Sequence, residues 1–319
     1  MDIEVWTWLE LVRRAGSPGR ARGLLRDGAV VRLLRDAYVG SEHAPSTEVR
    51  VAALRAVLPP DVAVTGRAAL WLLGMDVLGR DPVVDVVAPR GRMVRHRPGV
   101  RAWSAAVPDS ELVETDGLLV VSAARVVVDA ARRGPVHEAV ALGDAALRAG
   151  VTTPDLLLDS LDRAGGLRGV QRARKVLPLL DGRSESLMES RVRVELVSAG
   201  FEPDVQLDVY DPDGEHVGRA DLHVEGVVLE YDGFAVHTDK RAFGRDRWRG
   251  NRFGDVGLEV RRFSAADWYD RPRGLLAATV RRAVLVARDR VVTARRGPDT
   301  LRAPRRTPPD TLDRERPAA

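Results

Sequence analysis

The stretch "HVGRADLHVEGVVLEYDG", His216–Gly233, decides how the C-terminal part of the chain folds. Two apolar-rich runs flank Glu225–Gly226, which predicts two antiparallel strands joined by a two-residue turn. That turn pairs Val224 with Val227, His223 with Val228, Leu222 with Leu229, and Asp221 with Glu230. Directly opposed residues share a face, with Cβ atoms about 4.5–5.5 Å apart. Asp232, two residues beyond Glu230, projects to the same face, and Arg219 lies across from it. Three carboxylates therefore converge at the mouth of a hairpin whose strands otherwise look buried. A desolvated carboxylate needs a cation, a hydrogen-bond network or open water.

Upstream of the hairpin, "SESLMESRVRVELVSAG" (Ser184–Gly200) has the spacing of an amphipathic helix. Leu187, Val194 and Val197 are expected to face inward, and Gly200 to end it. A strand "VQLDVYD" and the turn "PDGE" lead into the hairpin. Downstream come an arginine-studded helix (239–257), a strand "LEVRRFS" and a helical stretch at 265–290. The order is α-β-β-β-α-β-α. The remainder, 291–319, is rich in Pro, Arg and Asp and is expected to be disordered.

The N-terminal forty residues read as helix, helix, two-stranded ribbon. "VWTWLELVRRAG" has helical spacing at Val5, Trp8, Leu9 and Val12. Ser17 caps the second helix, with Pro18 at its first position and a stop near Gly28. Two short strands surround Arg35–Asp36. This is the order of a truncated winged helix lined by Arg20, Arg22, Arg26, Arg32 and Arg35; a small helical cap with solvated arginines fits equally. Residues 46–150 read as α/β: a helix capped at Ser46 or Thr47, strands in "PVVDVVAPRG", "GVRAWSAAV" and "GLLVVS", then helices in "SAARVVVDAARRG" and "VHEAVALGDAALRAG". Two further helices follow before residue 180. The second, "LRGVQRARKVLPLL", is basic along its exposed side, which suits a phosphate backbone or a solvated face. The expected organisation is a winged-helix-like module (1–45), an α/β and helical middle region (46–180), an α-β-β-β-α-β-α domain (184–290) and a tail (291–319). The fold class is α/β (α+β).

The 319 residues suffice for two or three domains with cores. Cysteine is absent, which excludes disulfides and thiolate metal sites. Asp2 and Glu4 stand where a signal peptide would carry basic residues, and no apolar run approaches the roughly 18 residues that span a bilayer. A soluble, cytoplasmic protein with no membrane partner is expected. Net charge is +4, and Lys175 and Lys240 are the only lysines among 50 Lys+Arg. An arginine bias of this kind also follows from a GC-rich genome, so it supports nucleic-acid binding only weakly.

A hard divalent cation is one natural compensator for Asp221 and Glu230, with Asp232 beside them as a further catalytic acid, since Mg²⁺ (or Mn²⁺) binds through one or two carboxylates plus phosphate and water. Glu189 or Glu185 would add a ligand or hold a metal-bound water. In the alternative, Asp221 pairs with Arg219 or a helix arginine, and Asp232–Gly233 is a turn. His237, next along the chain, suits a general base or a DNA contact, or is a polar surface residue. Lys240, Arg241, Arg245, Arg247 and Arg249 beyond it suit a phosphodiester.

Residues 184–285 resemble the PD-(D/E)XK nuclease superfamily, and within it the Vsr-like branch. The matching stretches are "SLMESRVRVEL", "RADLHVEGVVLEYDG", His237 and "FGRDRWRGNRFGDVGLEVRRFSAADW". The resemblance implies a restriction-endonuclease-like fold with Asp221 and Glu230 as metal-binding acids, Glu189 as the helix acid and His237 assisting catalysis. Asp232 stands where the superfamily signature has lysine, a residue that active Vsr-like enzymes also lack. The N-terminal part resembles AbiEi-type antitoxins through "LLRDGAVVRLLRDAYV", "VAVTGRAALWLLGM" and "VVSAARVVVDAARRG". Two functions follow as expectations. One is a Mg²⁺-dependent endodeoxyribonuclease or nickase. The other is a non-catalytic DNA-binding regulator or antitoxin that keeps a degenerate nuclease fold. DNA is the partner in both.

Overall fold

Short-range signals place the first elements. The structure, a computed structural model, describes residues 3–43, 47–77, 83–92, 99–232, 251–272 and 274–291. Helix α1 (Trp8–Ala15) starts at a capping box between Thr7 and Glu10 and ends at Gly16 in the left-handed region (φ 81°). Helix α2 (Pro18–Arg26) is capped by Ser17, whose hydroxyl accepts from Arg20 N. Strands β1 (Val30–Leu34) and β2 (Ala37–Gly40) pair antiparallel around Arg35–Asp36. One inward position differs from expectation. Leu11 is buried, whereas Leu9 is 59% exposed. The helix begins at Trp8, so the periodic count that includes Val5 starts one turn too early.

The chain forms two compact units, Met1–Arg191 and Val192–Ala319. In the first, helix α3 (Thr47–Val57), strand β3 (Ala63–Thr65) and helix α4 (Gly66–Leu72) precede β4 (Val84–Ala88) and β5 (Val100–Ser104). A hairpin, β6 (Leu112–Thr115) and β7 (Leu118–Val121), completes a five-stranded mixed sheet of order β5-β4-β3-β7-β6. The sequence reading lacked β3, which is only three residues long, and β6, because "LVET" exposes its middle residues and shows no inward alternation. Helices α5 (Ala123–Arg133), α6 (Val136–Arg148), α7 (Pro154–Arg163) and α8 (Val170–Val176) follow, with serine or threonine capping α5 and α7. Leu54, Val64, Leu70, Val86, Val120, Val126 and Val127 lie in one apolar core between sheet and helices.

A buried ionic network crosses this unit. Glu111 is fully buried, and Arg125 on α5 is 2% exposed. Glu111 accepts from Arg125, from Ser160 Oγ at 2.5 Å and from Arg163 Nε at 3.3 Å. Arg125 also donates to Asp129 at 2.9 Å, and Asp129 accepts from Arg132. Arg132 in turn clamps the carbonyl of Arg168 with two N–H groups, at 3.1 and 2.8 Å. Burial acts to lower the Arg125 pKa, but Asp129 and Glu111 more than offset it and hold it above the ordinary guanidinium value.

Helix α9 (Leu187–Ser198) departs from the amphipathic expectation. Val194 is buried as expected, but Leu187 and Val197 are half-buried while Glu189, Arg191 and Arg193 are buried. The charged side chains enter because they are partnered: Arg191 Nε donates to Glu138 at 2.7 Å, and Glu189 accepts from Glu185 N at 2.8 Å. Glu138 also accepts from Arg67, so one carboxylate on α6 ties α4 to α9. Burial pushes the Glu138 carboxyl up, but Arg191 and Arg67 overcome this and hold it below the usual glutamate range.

The second unit carries a four-stranded sheet, β8 (Asp204–Tyr210), β9 (His216–Val224), β10 (Val227–Asp232) and β11 (Glu259–Ser264), in the order β11-β10-β9-β8. Helical residues 251–255 precede β11, and helices α10 (Ala265–Tyr269) and α11 (Leu275–Val291) follow it. Over the described residues the element order matches the reading of the sequence. Glu225 and Gly226 both take positive φ, 46° and 87°, the geometry of a type I′ hairpin turn. Strand β11 runs parallel to β10, so β10 is central and buried along most of its length. The segment 292–319 lies outside the described residues.

The two ionic groupings make different demands on a mutant. Arg125→Met takes from Glu111 and Asp129 the buried cation they share, leaving Arg163 and Arg132, and should cost about 3–5 kcal/mol in urea unfolding, while pairing it with Glu111→Leu should recover much of the loss. Glu138 has a folded pKa below its unfolded value of about 4.3, so its contribution is full above that pH and disappears as pH falls through the folded value. The difference in unfolding midpoint between wild type and Glu138→Gln should therefore shrink on acidification below about pH 4.3.

Candidate nucleic-acid interface

At the N-terminus, α1 and α2 meet across Gly16 and Ser17, and the ribbon β1–β2 packs against them. Trp6 bridges Tyr38 with two backbone hydrogen bonds, 2.8 and 2.9 Å, so the chain before α1 pairs with the second ribbon strand. The turn is fixed as well: Asp36, at φ 71°, accepts from Trp8 N at 2.8 Å. Leu11, Ala21, Val30 and Tyr38 form the core beneath. The result is a two-helix turn followed by a two-stranded ribbon.

Arg20, Arg22 and Arg26 on α2 and Arg32 and Arg35 on the ribbon are all exposed. Between residues 11 and 35 the chain has seven arginines and one acid, Asp27. Among the described residues none of these five arginines makes an ion pair; Arg32 Nε donates to the Leu34 carbonyl at 3.4 Å, and Arg22 stacks 6.0 Å from the Trp8 ring. Arg14, by contrast, is held by Glu4 and by the Trp6 ring.

Asp221, Glu230 and Asp232 lie on β9 and β10 of the second unit, and Glu189 lies on α9 within the first. The hairpin register agrees with the sequence reading from Val227–Val224 through Leu229–Leu222, and its pairing stops one step short of Asp221 and Glu230. Asp221 accepts from Tyr231 N at 2.8 Å, so its carboxylate turns to a backbone donor. Glu230 is 5% exposed and stands in register beside Arg262 of β11. Asp232 is exposed and in register with Ser264; Arg219, expected across from it, is opposite Asp208 of β8. Glu189 is buried in α9 and receives a backbone N–H. Among the described residues, no group of three or more His, Asp or Glu gathers as a metal ion would require. Asp221 thus already accepts one backbone N–H, and the stretch 233–250 that follows these acids lies outside the described residues. His237, Lys240, Arg241, Arg245, Arg247 and Arg249 lie outside the described residues, as does the expected cap at Ser46.

Residues 62–179 match the family model of the AbiEi antitoxin C-terminal domain. Uncharacterized proteins MT2308 and Rv2248, from two strains of Mycobacterium tuberculosis, are each 30% identical over 268 residues, covering 81% of this chain and 93% of the relative. The chain belongs to the same family as these two proteins. The crystal structure of the RV2827C protein from Mycobacterium tuberculosis is similar at 20% identity with a TM-score of 0.38, covering 55% of this chain and 71% of that one. The AbiEi match contains the five-stranded sheet and the buried network around Arg125, and it stops before α9 and the strand acids. No helix among the described residues is long and apolar enough to cross a membrane.

The ribbon turn gives a direct check. Asp36→Ala removes the bond to Trp8 N and places alanine at positive φ, which should cost the module about 1–2 kcal/mol. Hydrogen exchange at Tyr38 N should accelerate accordingly, and Asp36→Asn, which tolerates that φ, should restore most of the protection.

Proposed function

We propose that the protein is a non-catalytic, DNA-binding regulator of the antitoxin kind, with residues 1–45 as its DNA-contacting module. The observation that carries this reading is the set of five exposed arginines on α2 and the ribbon, none ion-paired among the described residues. Cations left without an internal partner are available to phosphates, and their binding releases condensed counterions from the duplex. Helix α2 is the element for the major groove, with Arg20 near its N-terminus placed for base edges and Arg22 and Arg26 for the backbone. Arg32 and Arg35 on the ribbon reach the adjacent phosphates. The AbiEi likeness of residues 62–179 supports a regulatory setting. Asp221 and Glu230 serve the second unit as structural acids: a cap on Tyr231 N and a partner in register with Arg262.

Binding of the full-length protein to duplex DNA should persist in chelator and weaken steeply with salt. The Arg20→Ala/Arg22→Ala/Arg26→Ala variant should flatten the plot of log K against log salt by roughly 0.9 for each phosphate it no longer neutralises. Unchanged binding by that variant would overturn the reading. So would nicking of supercoiled plasmid that requires Mg²⁺ and disappears in Asp221→Asn.

A further inference from the structure

A second basic surface lies away from the N-terminal module, on α8 and the turn before it. Between Leu167 and Leu180 the chain has Arg168, Arg172, Arg174 and Lys175 and no acid. Arg168, Arg174 and Lys175 are exposed and Arg172 is half-buried, while Ala173 and Val176 on the opposite face are buried. Arg133, at the end of α5, is also exposed. None of these five makes an ion pair among the described residues. Arg172 and Lys175, three apart on α8, repel each other, so the helix carries this charge against its own electrostatics. Lys175 also stands out in a chain that otherwise uses arginine almost throughout, which a general arginine bias does not explain.

The patch is rigidly mounted. Arg132 clamps the Arg168 carbonyl with two N–H groups and is itself anchored on Asp129 in the buried network. Gly169 takes φ 85°, and a Cβ there would collide with the Arg132 carbonyl oxygen, so the turn before α8 lies directly on the end of α5. The side chains exposed on α8 are Gln171, Arg174 and Lys175, with no apolar residue among them. A protein partner is usually gripped through an apolar or aromatic anchor, whereas a phosphate backbone needs only cations and amide donors on a fixed frame.

We infer that the α8 face, Arg168, Arg174 and Lys175 with Arg133 and Arg172 beside them, is a second contact for the phosphate backbone of DNA, sequence-independent and additional to the N-terminal module. The inference rests on the DNA-binding reading above, and the two fail separately in one experiment. Anisotropy of a labelled duplex of arbitrary sequence, about four helical turns long, is followed across a salt series. The proteins are full-length wild type, the α2 triple variant and Arg168→Gln/Arg174→Gln/Lys175→Gln, with urea midpoints as the check on folding. The α8 variant should keep the wild-type midpoint yet lower the salt slope by roughly 0.9 for each phosphate left unneutralised, up to about 2.7. Arg168→Lys/Arg174→Lys, which keeps the charge, should retain the wild-type slope. A wild-type slope in the α8 variant, with a reduced slope in the α2 variant, would overturn this inference and leave the first reading standing. Wild-type slopes in both would remove the first reading as well. Loss of binding to an acidic protein, with DNA binding intact, would assign the face to a protein partner and likewise overturn it.

Discussion

A carboxylate with no exposure to solvent is the constraint around which the first unit is organised. Glu111 sits at a 3-10 turn, and removing its charge from water is costly unless cations and hydroxyls replace the solvent. Arg125, Ser160 and Arg163 do so, drawing α5 and α7 onto the same point. The chain of partners continues through Asp129 and Arg132 to the Arg168 carbonyl, which fixes where α8 begins. Such a network specifies one packing, because any slip of α5 leaves a buried charge unmatched.

The same requirement separates internally paired from outward-facing charges elsewhere. Glu138 is satisfied by Arg67 and Arg191, and Asp221 by Tyr231 N. These groups hold helices and strands together. The arginines of α2, the ribbon and α8 make no ion pair among the described residues, and all but Arg172 are exposed. Charge that the fold does not neutralise is charge presented to solvent.

Much of the fold was legible because its signals are local. The capping serine and threonine residues, the glycine stops, the Glu225–Gly226 turn and the apolar runs each act within a few residues, and the observed elements start and stop with them. The arginines of α2 and the ribbon could be located for the same reason, since they lie within one short helix and one hairpin. Leu9 and the four residues of β6 were misplaced or missed where periodicity was too short to fix a phase. The acids of the second unit were legible only in part. Their register was read correctly up to Leu222 and Leu229, but the direction in which Asp221 turns depends on a backbone donor that pairing rules do not describe.

What the sequence by itself determined was the order of most helices and strands, the hairpin register and the segments rich in arginine, all set by interactions over a few residues. The tertiary structure alone decided that β11 lies parallel beside β10, that α9 takes Glu189 and Arg191 into a buried setting, and that Arg125 is among the most deeply enclosed large side chains of its unit. Those outcomes depend on partners tens of residues away, such as Arg191 with Glu138. A charge becomes buriable only when such a partner arrives, and no local pattern announces it.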